Sequence, residues 1–226
     1  MLGYHRVDDG GHPLAIRRST FSAQMAFLAG RRDRLPVIEL AAAREAIPGR
    51  AVVLTFDDGW ADNHANALPV LAELRLPATI YVPSRLLGTP GYLDRRQLLE
   101  MAAEGVTVGA HTRTHCDLRA CGDRRLESEV RGSREDLEDL LGQPVVSFAY
   151  PAGHHDDRVV AAVAAAGYRH AVTTRRGWMR PATAALRIPR HFSEEFPLST
   201  FAAALNGGLN LLAVADRLRR EPVARP

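Results

Sequence analysis

The sequence predicts an α/β protein of parallel strands and crossover helices, and three observations support this fold class. Short apolar runs such as AVVLTF (51–56) and ATIYVP (78–83) are typical of buried strands. Stretches with helical apolar spacing, such as 124–142, separate these runs. Strand and helix therefore alternate along the chain, which favours parallel pairing. Both an open doubly wound sheet and a closed (β/α) barrel fit this pattern.

The remaining elements follow at short intervals. Further strands are expected in the MLGYH segment and at 106–112, 145–151, 170–174 and 185–190. Helices are expected at 63–74, 94–105, 124–142 and 156–167, and from about residue 200. Asp94 is a suitable N-cap, Pro69 suits a first-turn or kink position, and Gly105, Gly142 and Gly167 suit helix ends. The final residues are expected to fray.

Length and composition indicate one globular domain over residues 1–226. Barrel-type α/β domains commonly run about 200–250 residues as a single unit. The hydrophobic fraction is 46% and the charged fraction 24%, both ordinary for a soluble protein. The net charge is only +3, with basic and acidic residues interspersed, so no nucleic-acid partner is expected. Nothing in the sequence indicates the oligomeric state.

The first residues, MLGYHRVDDGG, lack the apolar core of a signal peptide, and no window has the length of a membrane span. We therefore expect a cytoplasmic protein, or an exported or surface-associated one if an upstream segment was removed. Cys116 and Cys121 could form a disulfide, but two cysteines do not define a stapled secreted scaffold. Because neighbouring residues point to opposite sides, a buried reduced thiol is favoured over metal ligation by Cys116.

Polar residues capable of metal chemistry follow two of the predicted strands. His111 and His115 lie four apart in HTRTH, after the strand at 106–112. No Glu follows the first His, so a helical metalloprotease site is disfavoured, but a loop could bring both imidazoles to one metal. Two imidazoles and one carboxylate would leave an open coordination position for water.

Asp57 and Asp58 supply carboxylates at the end of the strand at 51–56. Two adjacent carboxylates beside an apolar run repel one another and lose hydration unless a cation or proton offsets the cost. Their side chains point differently, so one can bind a metal while its neighbour contacts water. A solvated turn at Asp-Asp-Gly is the alternative. The carboxyl ends of parallel strands meet at one edge, which favours a shared site with HTRTH.

These residues resemble a known family. TFDDGW (55–60) and HTRTH (111–115) are similar to the first two signature motifs of NodB-type polysaccharide deacetylases, carbohydrate esterase family 4, and FAYPAG (148–153) is similar to the third. The resemblance covers about residues 2–192. It implies a distorted (β/α) barrel of fewer than eight units, the NodB homology domain. It also implies a divalent metal, Zn²⁺ first, with Co²⁺, Ni²⁺ or Mn²⁺ as alternatives.

The resemblance also implies roles for particular residues. Asp57 would be the general base, and Asp58, His111 and His115 the metal ligands. The metal would polarise an N-acetyl carbonyl and activate a water. Tyr150, Pro151 and Ala152 would line the substrate and oxyanion position, with the Ala152 N–H as donor. His191 is the first choice for the acid that protonates the leaving amine, ahead of His154 and His155. His5 is expected behind the metal.

The sequence departs from the family pattern at three motifs. The third commonly begins with an Arg that contacts the base, whereas Ala149 stands here. The fourth offers Trp178 for stacking on sugar, but Gly177 stands where an Asp is common. For the fifth, only PRHF is similar. The partners of the base and of the acid therefore stay unassigned.

The expected function is metal-dependent removal of N-acetyl groups from N-acetylglucosamine-containing poly- or oligosaccharide. The unusual third motif is similar to the poly-β-1,6-N-acetylglucosamine deacetylase subgroup. One alternative is a small substrate, either an acetylated amino-sugar intermediate or a cyclic amide. A second is a catalytically silent carbohydrate-binding domain that retains the metal site.

Overall fold

A curled sheet of seven parallel strands dominates the computed structural model, which describes residues 1–45, 50–193 and 196–205. The strands are β1 (Leu2–Tyr4), β2 (Arg6–Val7), β3 (Ala15–Ile16), β4 (Leu54–Phe56), β5 (Ala78–Val82), β6 (Thr107–Ala110), β7 (Ser147–Ala149), β8 (His170–Val172) and β9 (His191–Phe192). The main sheet has the order β8-β7-β6-β5-β4-β1-β9, and β2 pairs with β3 apart from it. This arrangement confirms the predicted distorted (β/α) barrel.

Seven α-helices accompany these strands in the described part of the chain. They are α1 (Arg18–Ala29), α2 (Leu40–Glu45), α3 (Leu68–Glu73), α4 (Arg95–Ala103), α5 (Asp123–Leu141), α6 (Asp157–Ala165) and α7 (Leu198–Ala203). Helices α1 and α2 and the β2–β3 pair were not predicted. The predicted helix after about residue 200 overlaps α7, and the expected frayed tail lies outside the described residues. No described helix has the length and apolar character needed to cross a membrane.

Helix boundaries follow the expected local chemistry. The Asp94 carboxylate accepts from the Gln97 N–H at 2.8 Å, and the Gln97 side chain accepts from the Asp94 N–H at 2.9 Å, forming a capping box. Gly142 ends α5 in the left-handed conformation at φ 66°. Before α3 the chain forms a π-helical turn at Asn63–Ala67. Pro69 lies in the first turn of α3 and has no N–H to donate, which accounts for the break in the helical hydrogen-bond pattern.

The segment at 185–193 connects β8, at one side of the main sheet, with β1, at the other side. Ile188 pairs with β8, because its N–H donates to Ala171 O at 2.9 Å and its carbonyl accepts from the Thr173 N–H at 2.8 Å. The His191 N–H then donates to Met1 O at 3.0 Å beside β1. The strand predicted at 185–190 is therefore a single bridge followed by β9. Pro189, which lacks an N–H, breaks the ladder between them.

Candidate metal centre and active site

Three side chains converge at the carboxyl edge of the sheet. Asp58 lies just beyond β4, and His111 and His115 follow β6. Asp58 Oδ1 is 3.3 Å from His111 Nε2 and 3.2 Å from His115 Nε2. One ligand atom from each residue lies within 4.8 Å of the others, the only such group among the described residues. The structure thus brings together the three residues predicted as ligands.

The turn after β4 separates the two aspartates. Asp58 has φ 71° and Gly59 φ 68°, two consecutive left-handed residues that reverse the chain. A side chain at Gly59 would also meet Val82 Cγ1 at 3.2 Å. Left-handed backbone is costly for Asp, so a surrounding structure must impose it. The reversal directs Asp58 to the imidazoles while Asp57 stays on the inner face with Thr55, two residues earlier.

Backbone contacts set the orientation of the first histidine. His111 is 1% exposed, and its Nδ1 lies 2.7 Å from Ala149 O at the end of β7. A carbonyl oxygen only accepts, so Nδ1 carries a proton and Nε2 is the atom that faces Asp58. Nε2 donates to Asp58 when the ring carries two protons, and it offers its lone pair to a metal when the ring is neutral. This arrangement is typical of metal-bound histidine, where a carbonyl behind the ring fixes the tautomer.

The HTRTH segment is a loop, as its position after a strand predicted. Thr112 has φ 66° and His115 φ 58°, so two non-glycine residues adopt left-handed backbone. The His115 N–H donates to Thr112 Oγ1 at 2.9 Å. Glu129 of α5 accepts from the N–H groups of Arg113 and Thr114, both at 2.9 Å, and from Thr114 Oγ1 at 2.7 Å. These bonds fix the loop between the two imidazoles.

The donor chemistry of this group fits a divalent metal. Two neutral imidazole nitrogens and one carboxylate oxygen suit Zn²⁺ and similar transition metals, and leave open positions for water and substrate. Burial by itself raises the pKa of Asp58, but hydrogen bonds from His111 and His115 outweigh it and hold this pKa well below its ordinary value. The carboxylate is therefore ionised, as a ligand must be.

Asp57 faces a buried cation rather than the histidines. Arg190, which is 0% exposed, donates from Nη1 to Asp57 Oδ1 at 2.7 Å and from Nη2 to Oδ2 at 2.6 Å. Its Nη1 also donates to Thr55 Oγ1 at 3.0 Å, and its Nε to Thr173 O at 3.0 Å. Burial alone would raise the pKa of Asp57, but the Arg190 charge and hydrogen bonds outweigh it, so the pKa is lowered.

Arg190 is the site residue that the sequence analysis missed. The family pattern places the partner of the base in the third motif, where this chain has Ala149. One signal could have found Arg190, because a charged residue in the apolar RIPRHF segment needs a buried partner. That buried partner is Asp57, 133 positions away, and only the order of strands in the sheet brings the two together.

The residues of the predicted oxyanion segment differ in exposure. Tyr150 is 0% exposed and its hydroxyl donates to Leu186 O at 2.9 Å, so its side chain packs in the core. Pro151 is also buried, whereas Ala152 is exposed and has φ 52°. Ala152 follows Ala149, which contacts His111, by three residues. Ala152 therefore lies in the turn that follows β7, the strand whose last residue contacts His111.

His191 and Trp178 lie together, with ring centroids 5.5 Å apart. His191 is 2% exposed, and burial, the terminal amine and Arg176 lower its pKa to about 4. In the described residues no hydrogen bond, ion pair or ring contact joins His191 to Asp57 or to the three ligands. His191 Nε2 and Trp178 Nε1 are both buried without a hydrogen-bond partner there.

His5 follows β1, at the carboxyl end of the strand that pairs with β4. Its charge contributes to lowering the pKa of both Asp57 and Asp58. The ring stacks on Phe192, with centroids 5.0 Å apart, and is half-buried. Cys116 is not part of the ligand group among the described residues; its Sγ lies 3.5 Å from Cys121 Sγ, and both thiols are free.

Comparison with known proteins finds deacetylases of similar sequence. Chitooligosaccharide deacetylases of Rhizobium leguminosarum bv. trifolii and Sinorhizobium fredii are 36% and 38% identical over 136 and 138 residues. Each match covers 58% of this chain and 61% of the relative. YxkH of Bacillus subtilis is 29% identical over 181 residues, which cover 78% of this chain and 64% of YxkH. The matches thus span less than two thirds of each of these relatives.

Solved structures share the fold. The polysaccharide deacetylase BC0361 of Bacillus cereus matches with TM-score 0.80 and 29% identity, covering 90% of this chain and 67% of that one. IcaB of Ammonifex degensii matches with TM-score 0.76 and 25% identity, covering 91% and 94%. The Polysaccharide deacetylase family model matches residues 44–171, more than half of the sequence. The chain therefore belongs to the polysaccharide deacetylase family.

Proposed function

We propose that this chain is a metal-dependent hydrolase that removes N-acetyl groups from N-acetylglucosamine-containing poly- or oligosaccharide. One observation carries the proposal: two adjacent carboxylates have different environments. Asp58 faces two imidazoles, whereas Asp57 faces a buried guanidinium. A site with one ligand carboxylate and one separately tuned carboxylate suits hydrolysis by a base and a metal.

The residues divide the reaction between them. Asp58, His111 and His115 would hold the metal, Zn²⁺ being the first choice. When bound there, a divalent metal supplies a Lewis acid for the acetyl carbonyl and lowers the pKa of water. Asp57, kept ionised by Arg190, takes a proton as water attacks the carbonyl carbon. The Ala152 N–H donates to the developing oxyanion. The C–N bond then breaks, giving acetate and a free amine.

The leaving nitrogen needs a proton, and two imidazoles are candidates. His191 was the choice from the sequence, but it is buried, and with a pKa of about 4 it is neutral at pH 7. His5 is half-buried and follows β1, next to the strand that leads to both aspartates, and its charge contributes to lowering their pKa values. We therefore propose His5 as the first candidate acid and keep His191 as the second. His5→Gln and His191→Gln should separate them, since only the acid variant loses the basic limb of the pH–rate profile.

The substrate class rests on family and relatives. The chitooligosaccharide deacetylases named above act, by their names, on short N-acetylglucosamine polymers. A small acetylated amino sugar or cyclic amide is the second candidate substrate. The proposed catalytic residues act on the amide group itself, so they would hydrolyse any such amide that binds beside the metal. A silent binding domain is disfavoured, because Arg190 supplies the partner of the base that the motifs lacked.

Variants at the two aspartates test the proposal. Asp57→Asn should bind Zn²⁺ as the wild type does but lose at least about 100-fold in acetate release, the usual scale of a general base. Asp58→Asn and His111→Ala should lose both metal and turnover. The measurement is acetate released from N-acetylglucosamine oligomers, single sugars and small cyclic amides, with chelated enzyme as control.

Each outcome has a defined meaning. Acetate from oligomers that requires metal and Asp57 supports the proposal, and release only from the small substrates selects the second candidate. An Asp57→Asn variant near wild-type activity would disprove the assignment of the base. Metal binding without any acetate release would favour the silent domain.

A further inference from the structure

Trp60 lies beside the metal centre and touches one of its ligands. The indole Nε1 donates to Asp58 Oδ2 at 3.1 Å, while Asp58 Oδ1 is the oxygen that faces His111 and His115. The two oxygens of one carboxylate therefore have separate partners. This division orients the carboxylate, because the indole N–H holds Oδ2 on its own side and leaves Oδ1 pointing to the imidazoles, where a metal would bind.

The local backbone makes this contact feasible. Side chains two residues apart in a strand share a face but stand well apart. Here the consecutive left-handed residues Asp58 and Gly59 reverse the chain, so that residue 60 turns back toward the carboxylate of residue 58. The left-handed backbone at Asp58 therefore allows both contacts of the carboxylate: the imidazoles lie at Oδ1 and the indole N–H at Oδ2.

The indole is held rigidly by its surroundings. Trp60 forms an isolated bridge with Tyr92, and the two rings stack with centroids 4.6 Å apart and an interplanar angle of 18°. The Arg6 guanidinium lies 4.9 Å from the ring centroid. Arg6 is itself fixed by Asp62 at 2.9 Å and Asp8 at 2.8 Å. A ring packed in this way can hold its N–H in one direction.

We infer that Trp60 is a positioning residue that holds Asp58 as a one-oxygen metal ligand, leaving coordination positions open for water and the acetyl carbonyl. The inference rests on the proposed metal site. Without the indole N–H, Asp58 can rotate and offer both oxygens. The metal would then be bound with altered geometry and affinity, although all three ligands remain.

Trp60→Phe tests this directly, because it keeps an aromatic ring against Tyr92 and deletes the N–H. We expect about a tenfold loss in Zn²⁺ affinity, the lower end for a residue that orients a ligand. The affinity is measured by competition with a chromophoric chelator, and the Co²⁺-loaded protein should show an altered visible absorption spectrum. Tyr92→Phe, which leaves the indole in place, should bind Zn²⁺ within twofold of the wild type.

Trp60→Phe with wild-type affinity and an unchanged Co²⁺ spectrum would overturn the inference. Equal losses in Trp60→Phe and Tyr92→Phe would also overturn it, because the effect would then not be specific to the indole N–H. Circular dichroism and a melting curve establish that each variant is folded.

A spectroscopic measurement covers the case in which Trp60→Phe does not fold. The chain has two tryptophans, so ¹⁵N-indole labelling gives two side-chain N–H signals, assigned with Trp178→Phe. In the metal-free protein the Trp60 signal should shift when Asp58 is changed to Asn, and an unchanged signal would overturn the inference. If the wild type binds no metal at all, the proposed function fails, and this signal still tests the indole contact on its own.

Discussion

At the scale of single residues, the contact between Asp57 and Arg190 governs the protonation of Asp57, the proposed base. Both groups are almost fully buried, and the guanidinium contacts both carboxylate oxygens. Such a pair keeps the carboxylate charged where burial alone would neutralise it. Asp57 is therefore ionised throughout the neutral range. Its carboxylate contacts Arg190, while its neighbour Asp58 faces the two imidazoles.

Arg190→Met removes the charge at similar volume. Burial then dominates, so the pKa of Asp57 should rise above its ordinary value instead of lying below it. A base works only when ionised, so the acid limb of kcat/KM should move to higher pH by at least about one unit, the scale of a strong charge contact. We also expect a loss of about 3–5 kcal/mol in unfolding free energy, as for broken buried pairs. A variant with an unmoved acid limb would contradict this role.

At the scale of elements, α5 holds the loop that carries both imidazoles. Glu129 accepts three hydrogen bonds from Arg113 and Thr114, and the Arg113 side chain lies along the same helix, paired with Asp136 at 2.7 Å and 2.8 Å. Gly132 leaves room for this, since a Cβ there would lie 2.2 Å from Arg113 Cζ. The left-handed residues of the loop are thus stabilised from outside it.

Glu129→Ala should release the loop, because three donors lose their common acceptor. We expect at least a tenfold loss of Zn²⁺ affinity together with a lower Tm. Glu129→Gln is the matched control. Its amide oxygen can accept both N–H groups and its NH₂ can donate to the Thr114 hydroxyl, so affinity should stay within about threefold of wild type. Equal behaviour of the two variants would contradict this account.

At the scale of the whole molecule, residues from three distant segments complete the site. The turn after β4 contributes the aspartates, the loop after β6 the histidines, and the segment between β8 and β9 contributes Arg190. That last segment forms hydrogen bonds with β8 on one side of the sheet and beside β1 on the other. The segment that closes the barrel is therefore also the one that places the Arg190 guanidinium against Asp57. Metal binding should therefore stabilise the fold, because the ligands are together only in the folded chain.

Removal of the metal should lower the melting temperature. At a free Zn²⁺ concentration 100 times Kd, binding adds about 2.7 kcal/mol. For a domain of this size that corresponds to about 5–10 °C in Tm. Differential scanning calorimetry with and without chelator measures the shift. Asp58→Ala should show no response to metal, and a shift of wild-type size in this variant would place the ion elsewhere.

The sequence by itself determined the features that depend on neighbouring residues. Apolar period and capping residues predicted the core strands and helices, and the positions of the Asp57-Asp58 pair, His111 and His115 after strands predicted a shared site. The tertiary structure alone decided that Arg190 contacts Asp57, that Tyr150 is buried, and that the Trp60 indole reaches Asp58. These outcomes depend on strand order, barrel closure and a left-handed turn. Local periodicity specifies which face a side chain occupies, but not which remote segment packs against that face.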